Sequence, residues 1–175
     1  VTVDDAMIVL QDEATEDMSV MAGVVPNEES YFGTSVWKHA RNRFPWLLFL
    51  MLSATITGLI LGHFEAALAV MPILNTFIPM LTGTGGNCGS QSSTLIIRGL
   101  TVGEIEFKDI FRVLFKEIRV ALLVGLCLSM VNGVRVIIMY GDPLLAFAIG
   151  LTMIATILLS KTVGCVLPLV AKSVD

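Results

Sequence analysis

Charged residues are scarce in this chain, and so are the side chains on which soluble enzymes commonly rely. Only 15% of the 175 residues are charged, the sequence has two histidines and three cysteines, and no Lys or Arg precedes Lys38. Hydrophobic residues make up 55% of the chain, and the mean hydropathy is +0.83. This composition excludes an ordinary soluble domain and predicts a membrane protein.

Two further absences narrow the chemistry. Cys88, Cys127 and Cys165 are odd in number and each lies in an apolar segment, so neither a disulfide framework nor a zinc site is indicated. The glycine-rich stretch lacks the Gly-Lys-Ser/Thr end of a Walker loop, and the dinucleotide pattern counted from Gly83 has Cys88 in place of its third glycine. We therefore expect no nucleotide site. We also expect no nucleic-acid partner and no catalytic residues.

The stretch from Pro79 to Thr94, PMLTGTGGNCGSQSST, lies between apolar segments at 66–78 and 95–97. It places four glycines and a row of amides and hydroxyls in a helix within an apolar layer. Glycine costs a helix up to ~1 kcal/mol relative to alanine, and polar groups in hydrocarbon must find partners or line a wet cavity. Such a stretch predicts a functional site.

The spacing places five small or polar residues on one helical face, since they recur at intervals of three and four. A close-packing seam between membrane helices would explain the glycines. It explains less well Asn87 and Gln91, whose side-chain carbonyl oxygens suit hard cations. The five residues are Gly83, Gly86, Asn87, Ser90 and Thr94.

The GTGGNxGxQ core of this stretch resembles the second transmembrane helix of the MgtE magnesium channels. Asp12 to Asp17, DEATED, resembles the EEATED signature at the end of that family's regulatory CBS domain, and Leu167-Pro168 resembles the close of its fourth helix. The resemblance covers nearly the whole chain.

The resemblance implies a homodimeric channel that passes Mg²⁺ into the cytoplasm and is gated by cytoplasmic Mg²⁺. The five residues of the stripe would line the pore, with Asn87 at the ion, although the family often has Asn where this chain has Ser90. The regulatory metal ligands would be Asp12, Glu13, Glu16 and Asp17. The resemblance also implies a sensing domain before this sequence and a fifth helix after Asp175, so that this chain would be an incomplete pore unable to conduct alone.

We expect an all-α, polytopic membrane bundle of four spans, with a glycine-broken second helix. Residues 1–30 would be an acidic cytoplasmic segment, 31–44 a connecting helix, and 45–175 the pore domain, with spans at 45–62, around the motif, at 113–139 and at 144–170. Basic residues before the first span and between the second and third predict a cytoplasmic amino end, with the lipid bilayer as a partner. The resemblance implies the plasma (inner) membrane.

The remaining charges have simple expected roles. The link from Arg98 to Arg119 predicts a charge-paired helix start with no need of a lipid site. Asn132 and Arg135 are expected to reach the outer surface. Lys161 either faces the bundle interior or a cavity, as ionisable residues inside apolar runs usually do, or reaches the cytoplasmic border, which we favour.

Two alternatives belong to other functional classes. A secondary transporter would also use a discontinuous helix, but it would be expected to repeat the interruption elsewhere in the chain. A membrane-embedded hydrolase is weaker, because no span combines a nucleophile with His or paired carboxylates.

Overall fold

The computed structural model describes residues 3–27 and 30–172, so Glu28, Glu29 and Asp175 lie outside the described residues. Within these ranges the chain forms helices and no strand, which confirms the all-α prediction. Short 3-10 helices occupy Pro72–Thr76 and Phe107–Asp109. The α-helices are α1 (Val3–Met21), α2 (Val36–His63), α3 (Glu65–Val70), α4 (Ile78–Thr101), α5 (Ile110–Tyr140) and α6 (Pro143–Lys172).

Three stretches of helix are long and apolar enough to cross a membrane: Val36–His63, Phe107–Tyr140 and Pro143–Ala171. The protein is therefore a multi-pass membrane protein with a helical bundle. The third and fourth predicted spans agree closely with α5 and α6. Helix α4 has 24 residues, about 36 Å at ~1.5 Å per residue, which is long enough to span. Its glycines and hydroxyls lower its hydropathy, so its role as a span stays a prediction.

The chain divides into two compact units, Val1–Val70 and Met71–Asp175. In the first unit, α2 starts after Ser35, whose hydroxyl accepts a hydrogen bond from the Lys38 amide at 3.3 Å. The helix then continues through Pro45, so the predicted connecting helix and first span form one element. No residue of α2 is buried, and its apolar surface needs lipid or protein around it.

The second apolar segment is interrupted, but not in the glycine motif. Helix α3 ends at Val70, a 3-10 helix follows from Pro72, and α4 is continuous from Ile78 through every glycine of the motif. Pro72 cannot donate a helical hydrogen bond and disfavours a helical conformation at Met71, which explains the break there. The packing of α4 holds the glycines in helix despite their low propensity.

In the second unit, α4, α5 and α6 pack around a shared core that has three clusters. Phe77, Val136 and Ile149 lie in one cluster, Ala121 and Ile157 in the next, and a third contains Ile96, Cys165 and Leu169. Gly141 ends α5 in the left-handed conformation, at φ 67°. The Asp142 carboxylate then accepts the amides of Leu144 and Leu145 at 2.9 and 3.1 Å. This short turn makes α5 and α6 a helical hairpin.

Candidate functional site

The five residues of the predicted stripe lie together on the open face of α4. Gly83, Gly86, Asn87, Ser90 and Thr94 are all exposed within the second unit. A Cβ added at Gly83 or Gly86 would meet nothing within 4 Å. The structure therefore brings the predicted pore residues together on one accessible face, as the spacing indicated.

The opposite face of the same motif packs against α6. Cys88 and Ser92 are buried there, and added Cβ atoms at Gly85 and Gly89 would meet Ser160. A Cβ at Gly164 would collide with the Gly89 carbonyl. The sequence left open whether the glycines serve packing or a site. In this structure the motif divides by face, with Gly85 and Gly89 packed and Gly83 and Gly86 open.

An open groove of about 450 Å³ lies where the stripe meets α6. Gly86 and Ser90 line it from α4, and Ser160 and Gly164 line it from α6. Small side chains keep the groove wide, and serine hydroxyls from both helices offer oxygen atoms. The polar surface beside Asn87 therefore extends onto a second helix.

Beneath the stripe, three polar side chains from three helices form a buried network. Ser92 is 0%, Lys161 5% and Glu117 9% exposed. The Lys161 ammonium lies 3.2 Å from Glu117 Oε2 and donates to Ser92 Oγ at 3.0 Å. The Ser92 hydroxyl donates to the same carboxylate oxygen at 2.6 Å. The network joins α4 to both α5 and α6 through Ser92, which lies on the buried face of α4, opposite the stripe.

This network corrects two expectations. Lys161 does not reach the border, because its ammonium is paired in the interior, and Glu117 of the charge-paired link forms its ion pair with Lys161 of α6 and not with a basic residue of the link. Sequence reasoning treated each residue alone, although ionisable residues inside apolar runs usually pair with one another. The sequence did contain a signal for this ion pair, namely one acidic residue in the third span and one basic residue in the fourth, at similar depths.

The other end of α5 also departs from expectation. Asn132 is only 6% exposed, and among the described residues its side-chain nitrogen has no hydrogen-bond partner. Arg135 is exposed, and its reach to the outer surface stays a prediction. Its guanidinium lies 5.8 Å from the centre of the Phe77 ring and 3.5 Å from Met80 Sδ. Asn132 thus belongs to the core, because its position on α5 faces the neighbouring helices.

The predicted regulatory carboxylates, Asp12, Glu13, Glu16 and Asp17, are all exposed on α1. Within the described residues, no group of three or more His, Cys, Asp or Glu side chains is close enough to hold a metal ion. Their role as ligands stays a prediction.

Known proteins match this sequence. The family described as MgtE, divalent cation transporter, matches residues 78–175, which begin at the first residue of α4. The chain belongs to the MgtE family. A magnesium transporter MgtE from Thermus thermophilus is 37% identical over 172 residues, and one from Bacillus subtilis is 34% identical over 170. The alignments cover 98% and 97% of this chain but only 38% and 37% of the two relatives.

The family match contains the stripe, the packed glycines and the buried network, since α4, α5 and α6 all lie within it. Both relatives are named as transporters. This agrees with the expectation that the protein is not an enzyme. Because this chain spans less than two-fifths of their length, we assign their activity to it only as a proposal.

Proposed function

We propose that this MgtE protein is a channel that conducts Mg²⁺ across the plasma (inner) membrane into the cytoplasm. The observation that carries the proposal is the open face of α4, where Asn87 stands among small residues that no other part of the second unit covers. A polar face in hydrocarbon is costly unless it lines a wet cavity or meets a partner.

The chemistry of the stripe fits a hydrated divalent cation. Magnesium dehydrates reluctantly and usually keeps several waters, so its site must be wide and must offer oxygen atoms. Gly83 and Gly86 supply width, while Asn87, Ser90 and Thr94 supply neutral oxygens. These oxygens can accept hydrogen bonds from the water shell of the ion without stripping it.

The stripe needs a facing wall. A second copy of the chain, in a homodimer, or a segment outside these 175 residues would supply it. In this proposal the exposed carboxylates of α1 serve as the regulatory sensor, with Mg²⁺ bridging Asp12, Glu13, Glu16 and Asp17 to further acidic groups. Gating by cytoplasmic Mg²⁺ places the amino end inside, in agreement with the basic residues that flank the first span.

A carrier mechanism is the second candidate, and one observation favours it. The interruption at Met71 to Phe77 gives the second segment the discontinuous form that transporters use for binding. Helices α5 and α6 show no matching interruption within their described residues, so the inverted repeat expected of such a carrier is not seen there. The channel therefore remains our preferred mechanism.

The experiment is Mg²⁺ flux into liposomes that contain the full-length protein, followed with an internal Mg²⁺-sensitive dye. We expect Asn87→Leu to abolish flux and to leave the folded oligomer intact. Thr152→Leu is the matched control, since Thr152 is an exposed hydroxyl residue on α6 that bonds only its own helix. Flux that survives Asn87→Leu unchanged would refute the pore role of the stripe. Flux that requires a counter-gradient of another ion would favour the carrier.

A further inference from the structure

A second, deeper cavity of about 740 Å³ lies at the end of the second unit where α4 finishes and α5 begins. Its floor is the buried pair Glu117 and Lys161, and its mouth carries the basic residues Arg98, Arg112 and Lys116. None of the five stripe residues lines it, so this cavity is separate from the proposed ion path. Its volume lies in the range of sites for small ligands and lipid headgroups.

The three basic groups at the mouth lack partners. Within the described residues, Arg98, Arg112 and Lys116 form no ion pair or hydrogen bond, although the link was expected to be charge-paired. Arg112 and Lys116 are one turn apart on α5, where like charges destabilise a helix. A bound anion would accept hydrogen bonds from these unpaired donors and would reduce the repulsion between them.

The acidic residues of the cavity argue against a cation. Glu117 is already neutralised by Lys161, and the Asp109 carboxylate accepts the Glu106 amide at 3.1 Å. No group of three metal-ligating side chains occurs in the described part of the chain. Apart from the Glu117–Lys161 pair, the cavity is lined by three basic side chains and two acidic ones, Glu104 and Asp109. The lining therefore has a net charge of +1. This favours a singly charged anion over a doubly charged one.

The flank of the cavity is apolar. Leu95 lines it and is 58% exposed. On α5, Phe111 and Phe115 are also largely exposed, next to the basic residues. An amphiphile with an anionic head and acyl chains matches both the basic mouth and the apolar flank, whereas free phosphate matches only the basic mouth. Basic pockets between membrane helices are known places for anionic lipid headgroups.

We propose that this cavity binds the headgroup of a singly charged phospholipid, through the phosphodiester, with Arg98, Arg112 and Lys116 as its donors. The acyl chains lie along Leu95 and Phe115. The bound lipid bridges the end of α4 to the start of α5, and so supports the helix that carries the stripe.

The test uses the full-length protein in neutral detergent, titrated with phosphatidylglycerol that carries a fluorescent acyl chain, and measures anisotropy. Each of Arg98→Gln, Arg112→Gln and Lys116→Gln should weaken binding about fivefold, because one basic residue near an anionic lipid contributes about 1 kcal/mol. The double variant Arg112→Gln/Lys116→Gln should lose about 25-fold. These side chains are exposed, so the unfolding temperature should not change.

The matched control is Arg135→Gln, because Arg135 is an exposed basic residue of α5 that lies outside the cavity and contacts Phe77 and Met80 instead. It should bind phosphatidylglycerol as the parent protein does. Unlabelled phosphatidylglycerol should displace the probe, and phosphatidylcholine or millimolar inorganic phosphate should not. Displacement by phosphatidylcholine, displacement by phosphate, or an equal loss in Arg135→Gln would each overturn the proposal. Flux measurements are not needed for this result, so it stands apart from the channel proposal.

Discussion

Lys161 on α6 and Glu117 on α5 form an ion pair of 3.2 Å in the interior of the second unit. Ser92 on α4 bonds to both partners. In a low-dielectric interior, such a network is stable only while every member is satisfied, and losing one member leaves an uncompensated charge. The pair therefore fixes how α4 sits against the hairpin, and with it the direction in which the stripe faces.

The first prediction concerns this pair. Lys161→Met leaves the Glu117 carboxylate buried without its cation, which should lower the free energy of unfolding by about 3–5 kcal/mol. Thermal unfolding in detergent, followed by circular dichroism, measures the loss.

Adding Glu117→Gln to Lys161→Met removes the stranded charge and retains an oxygen that can accept the Ser92 hydrogen bond. This double variant should recover more than half of the lost stability. Lys108→Met is the surface control, since Lys108 pairs with Glu106 at 2.7 Å but both side chains are largely exposed. A double variant no more stable than Lys161→Met alone would contradict the charge argument.

The second prediction concerns the contact of α4 with α6. Gly164→Ala places a methyl group against the Gly89 carbonyl, so the two helices must separate, at a cost of about 1–3 kcal/mol. Gly133→Ala in α5 is the matched control, because nothing lies within 4 Å of its added Cβ. Unfolding temperatures of the two variants should differ clearly. Equal temperatures would mean that the close approach at Gly89 does not support the fold.

The third prediction separates function from stability. Gly86→Leu should improve the helix by up to ~1 kcal/mol, because leucine has the better helix propensity and the site is open. The added side chain would nevertheless narrow the proposed pore, so Mg²⁺ flux into liposomes should fall at least tenfold. Gly133→Leu, at another open helical glycine, should retain flux. A fully active Gly86→Leu protein would exclude this face as the ion path.

The fourth prediction concerns topology. In a protein freed of its native cysteines, single cysteines at positions 65 and 142 should react with an impermeant thiol reagent added outside cells. A cysteine at position 108 should react only after the membrane is opened. The expectation follows from the basic residues of the link between the second and third spans. Outside labelling at position 108 would contradict the proposed orientation.

Much of the fold was predictable, because apolar length alone defines membrane helices. The predicted spans at 113–139 and 144–170 differ from α5 and α6 by only a few residues. The exposed stripe was also predictable, since spacing by three and four fixes which residues share a face. The break at Met71 was not predicted, because the glycines have the lowest helix propensity in this segment, whereas the break is caused by Pro72, which lies before the motif.

The buried network and the position of Asn132 were not predictable from spacing in one helix. Whether Glu117 meets Lys161 depends on how α5 and α6 rotate against each other, and a single sequence does not fix that rotation. The close contact of Gly89 with Gly164 has the same origin. Contacts between helices, in contrast to the faces of one helix, required the structure.

The short turn at Gly141 and Asp142 has a consequence for biogenesis. Because α5 and α6 are joined by so tight a connection, the translocon can release them as one hairpin, and Glu117 and Lys161 then belong to the same inserting body. Each charge alone at the centre of a span costs about 2.5–3.5 kcal/mol to insert. Paired within one hairpin, the two residues enter the lipid as a neutral dipole, so the protein can acquire an interior salt bridge without either ion crossing hydrocarbon by itself.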